Sequence, residues 1–537
     1  MPDGTGYPLT FMFARQDRNQ LSAILEDEVY LYEPSENGHF RVALVFPNAY
    51  SVGMSNLGFH ILERILHSNE NVHLERFFYE PRLRPLGRSL EKGIPLKDFD
   101  LVVASIPYEL DYLNLLKIMK AGGVTLHSAE RGENIPIVIV GGIAPSSNPE
   151  PLADFVDVFY IGEAEGIFPQ VLDRIVKSRR LGQPRKQILL ELSVFDGIYI
   201  PSLYKPVFRG ENLASFHPLI GGISEKVERI FVKDLDKYPY YTRILTSNTE
   251  LSRMILVELC RGCFRGCNFC LAGCAYLPFR TRSLESIYSM IDEVGERGKR
   301  FGLVATSVAD YPHLKELLRE MKGRGLEVGI SSFRADLMDA EALQLLCELG
   351  TRTFTIAPEV GSEQTRLELG KDLTNQQIMN FVDICNRIGV EAVKLYFMLG
   401  ISADLQEEFL RLKELILEIF SKAKFQMAIS LTPFVPKPHT AFALRTTYNA
   451  GAIKKELSKI EKQLRKAGLY DLRLESGRLA ETAKLLSLGD RRAGKYLERA
   501  VTHNSYPRVS SEFASAIPKE GNYLPWQHIS WSGKSVD

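Results

Sequence analysis

Two series of short, mostly apolar runs dominate the sequence, and stretches with helical periodicity separate them. In the first series most of the runs are too apolar for one face of a strand to meet water. Such strands form a parallel sheet that helices cover on both faces. The sequence therefore predicts an α/β domain with a doubly wound parallel sheet, from the runs RVALVFP (41–47), HLERFFY (73–79), FDLVVASIP (99–107), IPIVIVGG (135–142) and VDVFYIGEAEG (156–166).

The second series contains six runs, each paired with a helical stretch. Six βα units predict a partial (β/α)6 barrel, with reactive groups on loops at the carboxyl ends of its strands. The runs are MILVEL (254–259), FGLVATS (301–307), LEVGISS (326–332), RTFTIAP (352–358), AVKLYFML (392–399) and QMAISLTP (426–433).

These patterns divide the chain into five parts. The polar leader contains one short predicted helix near Arg15–Glu28, and the connecting segment contains short strand-like pieces. The C-terminal region begins with a Lys/Glu-rich helical stretch and is expected to form a small α+β unit that shapes substrate choice. The predicted parts are the leader (1–38), the sheet domain (39–180), the connecting segment (181–250), the barrel (251–445) and the C-terminal region (446–537).

Bulk composition indicates a cytoplasmic protein. Lys+Arg and Asp+Glu both number 66, so the formal net charge is zero and no dedicated nucleic-acid binder is indicated. The first residues lack the pattern of a signal peptide, and no run approaches the roughly 20 apolar residues that span a bilayer. Seven cysteines, five of them close together, do not resemble a disulfide framework.

The clustered cysteines follow the first strand of the second series, and their informative spacing is Cys263-x3-Cys267-x2-Cys270. Thiolates suit iron–sulfur clusters, and three of them leave one corner of a four-iron cubane open for another ligand. The alternative is a four-cysteine zinc site made from CRGC (260–263) and CNFC (267–270), although zinc ribbons usually separate their pairs further. Of the other cysteines, Cys260 is expected at the buried strand end, and Cys347 and Cys385 are expected in the core. For Cys274, a position near the substrate is the less favoured alternative.

This cysteine loop, placed after the first strand of a partial barrel, resembles that of the radical S-adenosylmethionine (SAM) superfamily. The resemblance implies a [4Fe–4S] cluster on Cys263, Cys267 and Cys270, with SAM chelated at the open iron. Reductive cleavage of SAM then releases a 5′-deoxyadenosyl radical. Phe269, the aromatic residue before the last cysteine, is implied to lie near the adenine.

Other polar residues at the ends of barrel strands are candidates for SAM binding. The second strand ends in LVATSVADY, which lacks the Gly-Gly-Glu-like motif of many members of the superfamily. An ordinary network of charges at the barrel mouth is the alternative for the charged candidates. The candidates are Thr306, Ser307, Arg334, Glu359 and Lys394.

The first domain resembles the cobalamin-binding domain of one large radical SAM class, chiefly through VGGIAPSSNPEPLADFVDVFYIGEAEG (140–166). The Asp-x-His-x-x-Gly motif of domains with a histidine cobalt ligand is absent, and His60 is expected to be packed or exposed rather than to bind cobalt. A corrin would lie over the carboxyl edge of the sheet. The candidate cobalamin residues are Gly53, Ser55, Gly58, Ser105, Tyr108, Gly141 and Gly142.

Together these features predict a cobalamin-dependent radical SAM methyltransferase that acts on an unactivated carbon of a protein side chain or small metabolite. The resemblance also implies a flavodoxin- or ferredoxin-like electron donor. One alternative is a radical SAM enzyme of another type, such as a cyclase or mutase, without cobalamin. Methylthio transfer needs a second cluster, and the first 259 residues contain no cysteine. A remote alternative is a non-enzymatic zinc or iron–sulfur binding module.

Overall fold

The computed structural model describes residues 21–33 and 38–536. It begins with helix α1 (21–27), which covers the described part of the helix predicted near Arg15–Glu28; residues 1–20 lie outside the described range. Strand β1 (Val29–Tyr30) then pairs antiparallel with Ile244–Leu245 in the connecting segment. The described part of the predicted leader is therefore joined by backbone hydrogen bonds to a segment far along the chain.

Six strands form the N-terminal sheet, in the spatial order β3-β2-β4-β5-β6-β7. Strands β2 to β6 are parallel, and β7 pairs antiparallel at the edge. This arrangement confirms the predicted doubly wound sheet and continues it beyond residue 180. The strands are β2 (Phe40–Phe46), β3 (Val72–Phe78), β4 (Leu101–Ser105), β5 (Ile137–Gly141), β6 (Val158–Tyr160) and β7 (Ile198–Tyr199).

The central strands are buried along almost their whole length, since helices cover both faces. Strand β2 lies between β3 and β4, so the chain turns in opposite directions on its two sides. Ligands of such sheets bind at the carboxyl ends of the strands beside this reversal. The helices are α2 (Tyr50–Gly53), α3 (Leu57–His67), α4 (Tyr112–Ala121), α5 (Ile143–Ser147), α6 (Ala164–Arg180) and α7 (Arg185–Leu192).

The connecting segment contains the β structure that its sequence predicts. Strands β8 (Tyr204–Arg209) and β9 (Asn212–Pro218) form an antiparallel hairpin. Strand β10 (Val227–Val232) pairs instead with the last strand of the chain, and β11 (Ile244–Leu245) is the partner of β1.

Two four-stranded sheets, joined by a bridge between Phe333 and Ile356, form the wall of the partial barrel. All six predicted barrel strands are present, and β19 adds a parallel strand beside β18. The strands are β12 (Ile255–Arg261), β13 (Arg280–Thr281), β14 (Arg300–Ala305), β15 (Glu327–Ile330), β16 (Thr353–Glu359), β17 (Ala392–Leu399), β18 (Gln426–Pro433) and β19 (Leu472–Leu474).

Side-chain caps fix where several barrel helices begin. Thr374 forms a reciprocal capping box with Gln377, and Asp404 accepts two backbone N–H groups at the next helix. The helices are α8 (Leu271–Ala275), α9 (Leu284–Val294), α10 (Leu314–Gly323), α11 (Ala340–Glu348), α12 (Glu363–Glu368), α13 (Asn375–Ile388) and α14 (Leu405–Lys422).

The C-terminal region packs on both preceding domains. Leu457 and Leu464 are buried in the barrel core, whereas Leu485 and Tyr496 are buried in the core of the N-terminal sheet. This region therefore helps to fix one domain against the other. Its elements are α15 (Ala450–Lys466), α16 (Gly477–Leu488), α17 (Ala493–Thr502), α18 (Ser511–Ala514) and β20 (Ile529–Val536). Among the described helices, none has the length and apolar character needed to cross a membrane.

Candidate active site

A cavity of about 490 Å³ lies between the carboxyl edge of the N-terminal sheet and the first strands of the barrel. Loops that follow parallel strands line one side, as expected for a ligand site in a doubly wound sheet. Residues at the ends of β12 and β14, residues of α8 and Trp531 of β20 complete the lining. Five of the candidate cofactor-binding residues lie in this lining: Gly58, Ser105, Gly141, Gly142 and Thr306.

Three other candidate cobalamin residues lie outside the lining of this cavity. A Cβ on Gly53 would meet the ring of Phe78, so this glycine is packed against the sheet's own core. The Ser55 hydroxyl donates a hydrogen bond to the Ser51 carbonyl within the same turn. Tyr108 is 40% exposed and lies under the ammonium group of Lys437, 5.4 Å from its ring centre.

The three predicted cluster ligands occupy one loop between β12 and α8. Cys263, Cys267 and Cys270 are free thiols, each half-buried. Cys270 directly precedes α8, and its pKa is raised by burial although the backbone N–H groups of Gly273 and Ala272 counter that effect. N–H groups directed at sulfur also stabilise cluster ligands and tune their potential. The donor set therefore fits a [4Fe–4S] cluster with one open iron.

Cys260 is separated from this group. It is 1% exposed, and its thiol lies 3.7 Å from the Ser307 carbonyl oxygen. Burial raises the pKa of Cys260 to about 12, which favours the protonated thiol over a thiolate ligand. Within residues 21–33 and 38–536, no three His, Cys, Asp or Glu side chains converge as they would around a single metal ion. A cubane holds each thiolate at a different iron, around a larger core.

Contacts with the rest of the barrel hold the cysteine loop in place. The Asn268 backbone N–H donates to the Leu369 carbonyl at 2.8 Å, and its side-chain amide donates to the Glu368 carbonyl. Arg265 forms an ion pair with the buried carboxylate of Asp310. Gly266 has a φ of 67°, a value that suits glycine in a tight loop. The loop is therefore anchored at several points before any cofactor binds.

Two charged candidates for SAM binding are each paired beside this loop. Glu359 has a φ of 70° and lies 2.6 Å from the Lys371 ammonium nitrogen. Arg334 pairs with Asp336 at 2.9 Å. Burial raises the pKa of the Cys267 thiol, while Lys371 and Arg334 act in the opposite direction. The sequence analysis missed Lys371, whose position after α12 gave no pattern to detect.

The uncharged candidates and Lys394 occupy separate walls of the barrel mouth. Thr306 lines the cavity, and the neighbouring Ser307 hydroxyl is buried with no hydrogen-bond partner among the described residues. Phe269 packs against a small apolar cluster that includes Leu369 and Phe434. Lys394 is half-buried in β17, on the inner face opposite the buried residues that flank it.

Cys274 lies in α8, Cys385 is buried in the barrel core and Cys347 packs against that core.

Glu408 is a further site residue that the sequence analysis did not identify. It is 4% exposed, and its carboxylate accepts hydrogen bonds from the backbone N–H groups of Gly400, Ile401 and Ser402. These groups form the loop that follows β17, so Glu408 fixes one edge of the barrel mouth. The signal available was an acidic residue a short distance after a strand-ending glycine.

A buried charge network forms the junction between the two domains. Arg261, at the end of β12, lies within 2.9 Å of carboxylate oxygens from Glu163, Glu165 and Glu258. Glu163 also pairs with Arg280 at 2.8 Å. Arg261 and the three glutamates line the cavity, and Glu258 and Arg261 lie just before the cysteine loop in the sequence. This network therefore couples the placement of the N-terminal sheet to that of the loop.

Two family models match the chain, one described as radical SAM proteins, N-terminal, over residues 58–201 and one described as the radical SAM superfamily over residues 257–416. The uncharacterized protein MJ0966 of Methanocaldococcus jannaschii is 30% identical over 486 residues, which cover 89% of this chain and 94% of that protein. The ribosomal protein uS12 methylthiotransferase RimO of Pseudothermotoga lettingae is 24% identical over 182 residues, 32% of this chain and 41% of RimO.

A similar fold occurs in the radical SAM methyltransferase TsrM of Kitasatospora setae, with a TM-score of 0.51. The two chains share 14% sequence identity over 75% of this chain and 74% of TsrM, so this similarity describes the fold. The family models coincide with the two α/β units and with the cysteine loop. In this chain the N-terminal radical SAM domain precedes the barrel, and MJ0966 is a member of the same family. The chain therefore belongs to the radical SAM superfamily.

Proposed function

We propose that this protein is a cobalamin-dependent radical SAM methyltransferase that acts on an unactivated carbon of a protein side chain or small metabolite. The observation that carries the proposal is the cavity enclosed between the carboxyl edge of the N-terminal sheet and the barrel mouth. A site in that position brings a ligand of the sheet next to the cysteine loop. The solved structure of TsrM, which shares the fold, contains cobalamin and a [4Fe–4S] cluster.

The residues of this chain supply the frame for that chemistry. Cys263, Cys267 and Cys270 would hold the cluster. When bound, the cluster and SAM supply a strong one-electron reductant and a hydrogen-abstracting radical, and cobalamin supplies methyl-transfer chemistry. An electron donor of the flavodoxin or ferredoxin class would deliver the electron. The protein itself orients these groups and shields them from water.

The sheet side of the cavity suits a flat ligand that approaches the backbone closely. A Cβ placed on Gly58 would meet only the Asn56 side chain, so this edge is open. Apolar residues such as Leu57 and Ile143 line the same side. His60 faces the interior of its own domain, where its Nε2 atom lies 3.0 Å from the Met54 carbonyl oxygen. Cobalamin would therefore bind here without His60 as a cobalt ligand.

The second candidate is a radical SAM enzyme of another reaction type that binds no corrinoid. The observation that favours it is the set of paired charges on the cavity wall, formed by Arg261 with Glu163, Glu165 and Glu258. A polar wall of this kind also suits a hydrophilic substrate. In that case the N-terminal sheet would be a substrate domain.

Corrinoid retention distinguishes the two candidates. Protein reconstituted anaerobically with iron and sulfide is incubated with hydroxocobalamin, desalted and measured by UV–visible absorption and cobalt analysis. The methyltransferase proposal predicts corrin bands beside the iron–sulfur shoulder, with about one cobalt per chain. An iron–sulfur shoulder without cobalt would contradict cobalamin binding and leave the second candidate.

A matched pair of glycine substitutions locates the site. Gly58 lines the cavity and Gly132 lies in an exposed loop, and neither has a positive φ. Gly58→Phe is expected to remove cobalt retention because the ring fills the cavity, whereas Gly132→Phe is expected to keep it. Equal retention by both variants would place the corrinoid elsewhere.

A further inference from the structure

Arg229 is an unusual cation on the wall of the cavity. It belongs to β10, it is 1% exposed, and it lines the cavity. Its guanidinium group donates to the carbonyl oxygens of Leu277 and Trp531. Its Nη1 atom is buried without a hydrogen-bond partner among the described residues.

The neighbouring guanidinium groups are all compensated by carboxylates. Arg261 and Arg280 each lie within 2.9 Å of Glu163, and Arg282 lies 3.5 Å from Glu258. Throughout the described part of the chain, no carboxylate lies within ion-pair distance of Arg229. A buried charge without a counter-charge is costly, and native proteins usually pair it. Glu163 acts on Arg229 only from beyond ion-pair distance, so Arg229 is a buried cation without a direct anionic partner among the described residues.

A second donor lies beside it. Trp531, on β20, lines the cavity, and the Arg229 guanidinium lies 5.7 Å from its ring centre. The indole Nε1 atom is buried and has no partner in the described residues. The ring also stacks on His439, with centroids 4.1 Å apart, and burial lowers the pKa of His439 to about 4. His439 is therefore neutral near pH 7 and adds no charge there.

We propose that Arg229 Nη1 and the Trp531 indole N–H together bind an anionic oxygen group on the molecule that occupies the cavity. Both atoms are donors, and a guanidinium favours a charged oxygen acceptor such as a phosphodiester or a carboxylate. Strand β20, which pairs with β10, thus contributes directly to ligand recognition.

Two sources of such an oxygen fit the cavity. One is the phosphodiester of cobalamin, and this source rests on the proposed function. The other is a carboxylate of a substrate, which needs no corrinoid. Cobinamide keeps the corrin ring but lacks the phosphodiester and nucleotide, so hydroxocobalamin and aquacobinamide form a matched pair of probes. Acetate, compared with chloride at equal ionic strength, is the probe for the carboxylate source.

Binding of both corrinoids is measured by equilibrium ultrafiltration on the reconstituted wild-type protein and on Arg229→Gln. If the phosphodiester is the ligand, the substitution weakens cobalamin binding about ten- to a hundredfold and leaves cobinamide binding unchanged, as expected for loss of a charge-assisted hydrogen bond. If a substrate carboxylate is the ligand, acetate raises the melting temperature of the wild-type protein but not of the variant. The inference is overturned if neither corrinoid affinity nor the acetate response depends on Arg229.

Failure of the proposed function gives a different result. In that case neither corrinoid binds the wild-type protein, while the acetate response still depends on Arg229.

A second substitution covers the possibility that Arg229→Gln does not fold. Trp531→Phe removes only the indole donor and is expected to weaken the binding or the acetate response that depends on Arg229. Trp526 is buried outside the cavity lining, so Trp526→Phe is expected to leave that binding or response unchanged. Equal effects of the two tryptophan substitutions would contradict the proposal.

Discussion

Replacing Arg261 by methionine tests the buried network that joins the two domains. Arg261 is 8% exposed, and its guanidinium group contacts carboxylates from both domains. Glu163 and Glu165 lie on the N-terminal side, and Glu258 lies on the barrel side. Methionine keeps much of the side-chain volume but removes the charge and all three ion pairs. We expect a large loss of stability because buried carboxylates then lose their partner.

The size of the loss follows from what remains paired. Glu163 keeps Arg280 at 2.8 Å, and Glu258 keeps Arg282 at 3.5 Å. Glu165 keeps no cation within ion-pair distance among the described residues. Breaking one buried pair by removal of a partner costs about 3–5 kcal/mol, and we expect R261M to lose that much unfolding free energy. Adding E165Q to R261M removes the uncompensated carboxylate and should recover part of the loss.

Urea unfolding, followed by far-UV circular dichroism and by tryptophan fluorescence, measures this effect. Both tryptophans lie in the C-terminal segment, so their emission reports on the region where the domains meet. The control is R300M, because Arg300 is 48% exposed and lies 3.9 Å from Glu327, a surface pair worth less than about 1 kcal/mol. The reasoning is refuted if R261M and R300M lose the same free energy.

Three further outcomes follow from the site. Alanine at any one cysteine of the C-x3-C-x2-C loop should abolish the iron–sulfur absorbance and reduce bound iron to background, whereas Cys274→Ala should keep both. Glu408→Ala leaves three backbone N–H groups unpaired, so its unfolding free energy should fall by about 3 kcal/mol or more in urea titrations, and Glu408→Gln should lose less. Arg261 and Arg280 outweigh burial and hold the pKa of Glu163 below its ordinary value of 4.5. The pairing of Glu163 therefore stabilises the fold fully above pH 4.5, and this stabilisation is lost as the pH falls through the pKa of Glu163 in the folded protein. Acid titration of stability should therefore show a shallower fall for Glu163→Gln; an unchanged slope would contradict this assignment.

The strands of both α/β units were predictable because each is a short, mostly apolar run. Several strands of the N-terminal sheet are buried on both faces, whereas buried and partly exposed residues alternate along β16, β17 and β18. Runs such as RVALVFP and IPIVIVGG correspond to β2 and β5 with boundaries shifted by one or two residues. The additional barrel strand β19 was not predicted. It has only three residues, Leu-Arg-Leu, and a run this short does not stand out as a strand in the sequence.

Long-range pairing accounts for most of what the sequence did not reveal. Strand β20 pairs with β10, and Tyr496 packs in the core of the N-terminal sheet, although both lie in a region expected to form a separate unit. Nothing local in a sequence specifies a partner so distant along the chain. The C-terminal region therefore contributes Trp531 to the cavity wall, and no sequence motif predicted this contribution.

The candidate site was predicted only in part, because local sequence signals identify some of its residues and long-range packing brings in the others. Cysteine spacing is a local signal, and it identifies the loop directly. Residues such as Gly58 and Ser105 follow strands and were placed by topology, and they line the cavity. Gly53 lies only a few residues earlier, but its helix turns it toward Phe78 and away from the cavity. Arg261 and Glu165 are 96 residues apart, so their pairing appears only in three dimensions.

The central claim is most directly tested by the products that the protein forms from SAM. Reconstituted protein, reduced under anaerobic conditions, is incubated with SAM in the presence or absence of hydroxocobalamin, and the products are quantified by mass spectrometry. A cobalamin-dependent radical SAM methyltransferase is expected to form 5′-deoxyadenosine in both samples and S-adenosylhomocysteine only in the sample with the corrinoid. No S-adenosylhomocysteine from corrinoid-loaded protein would contradict the methyltransferase assignment, and no 5′-deoxyadenosine in either sample would contradict radical SAM chemistry itself.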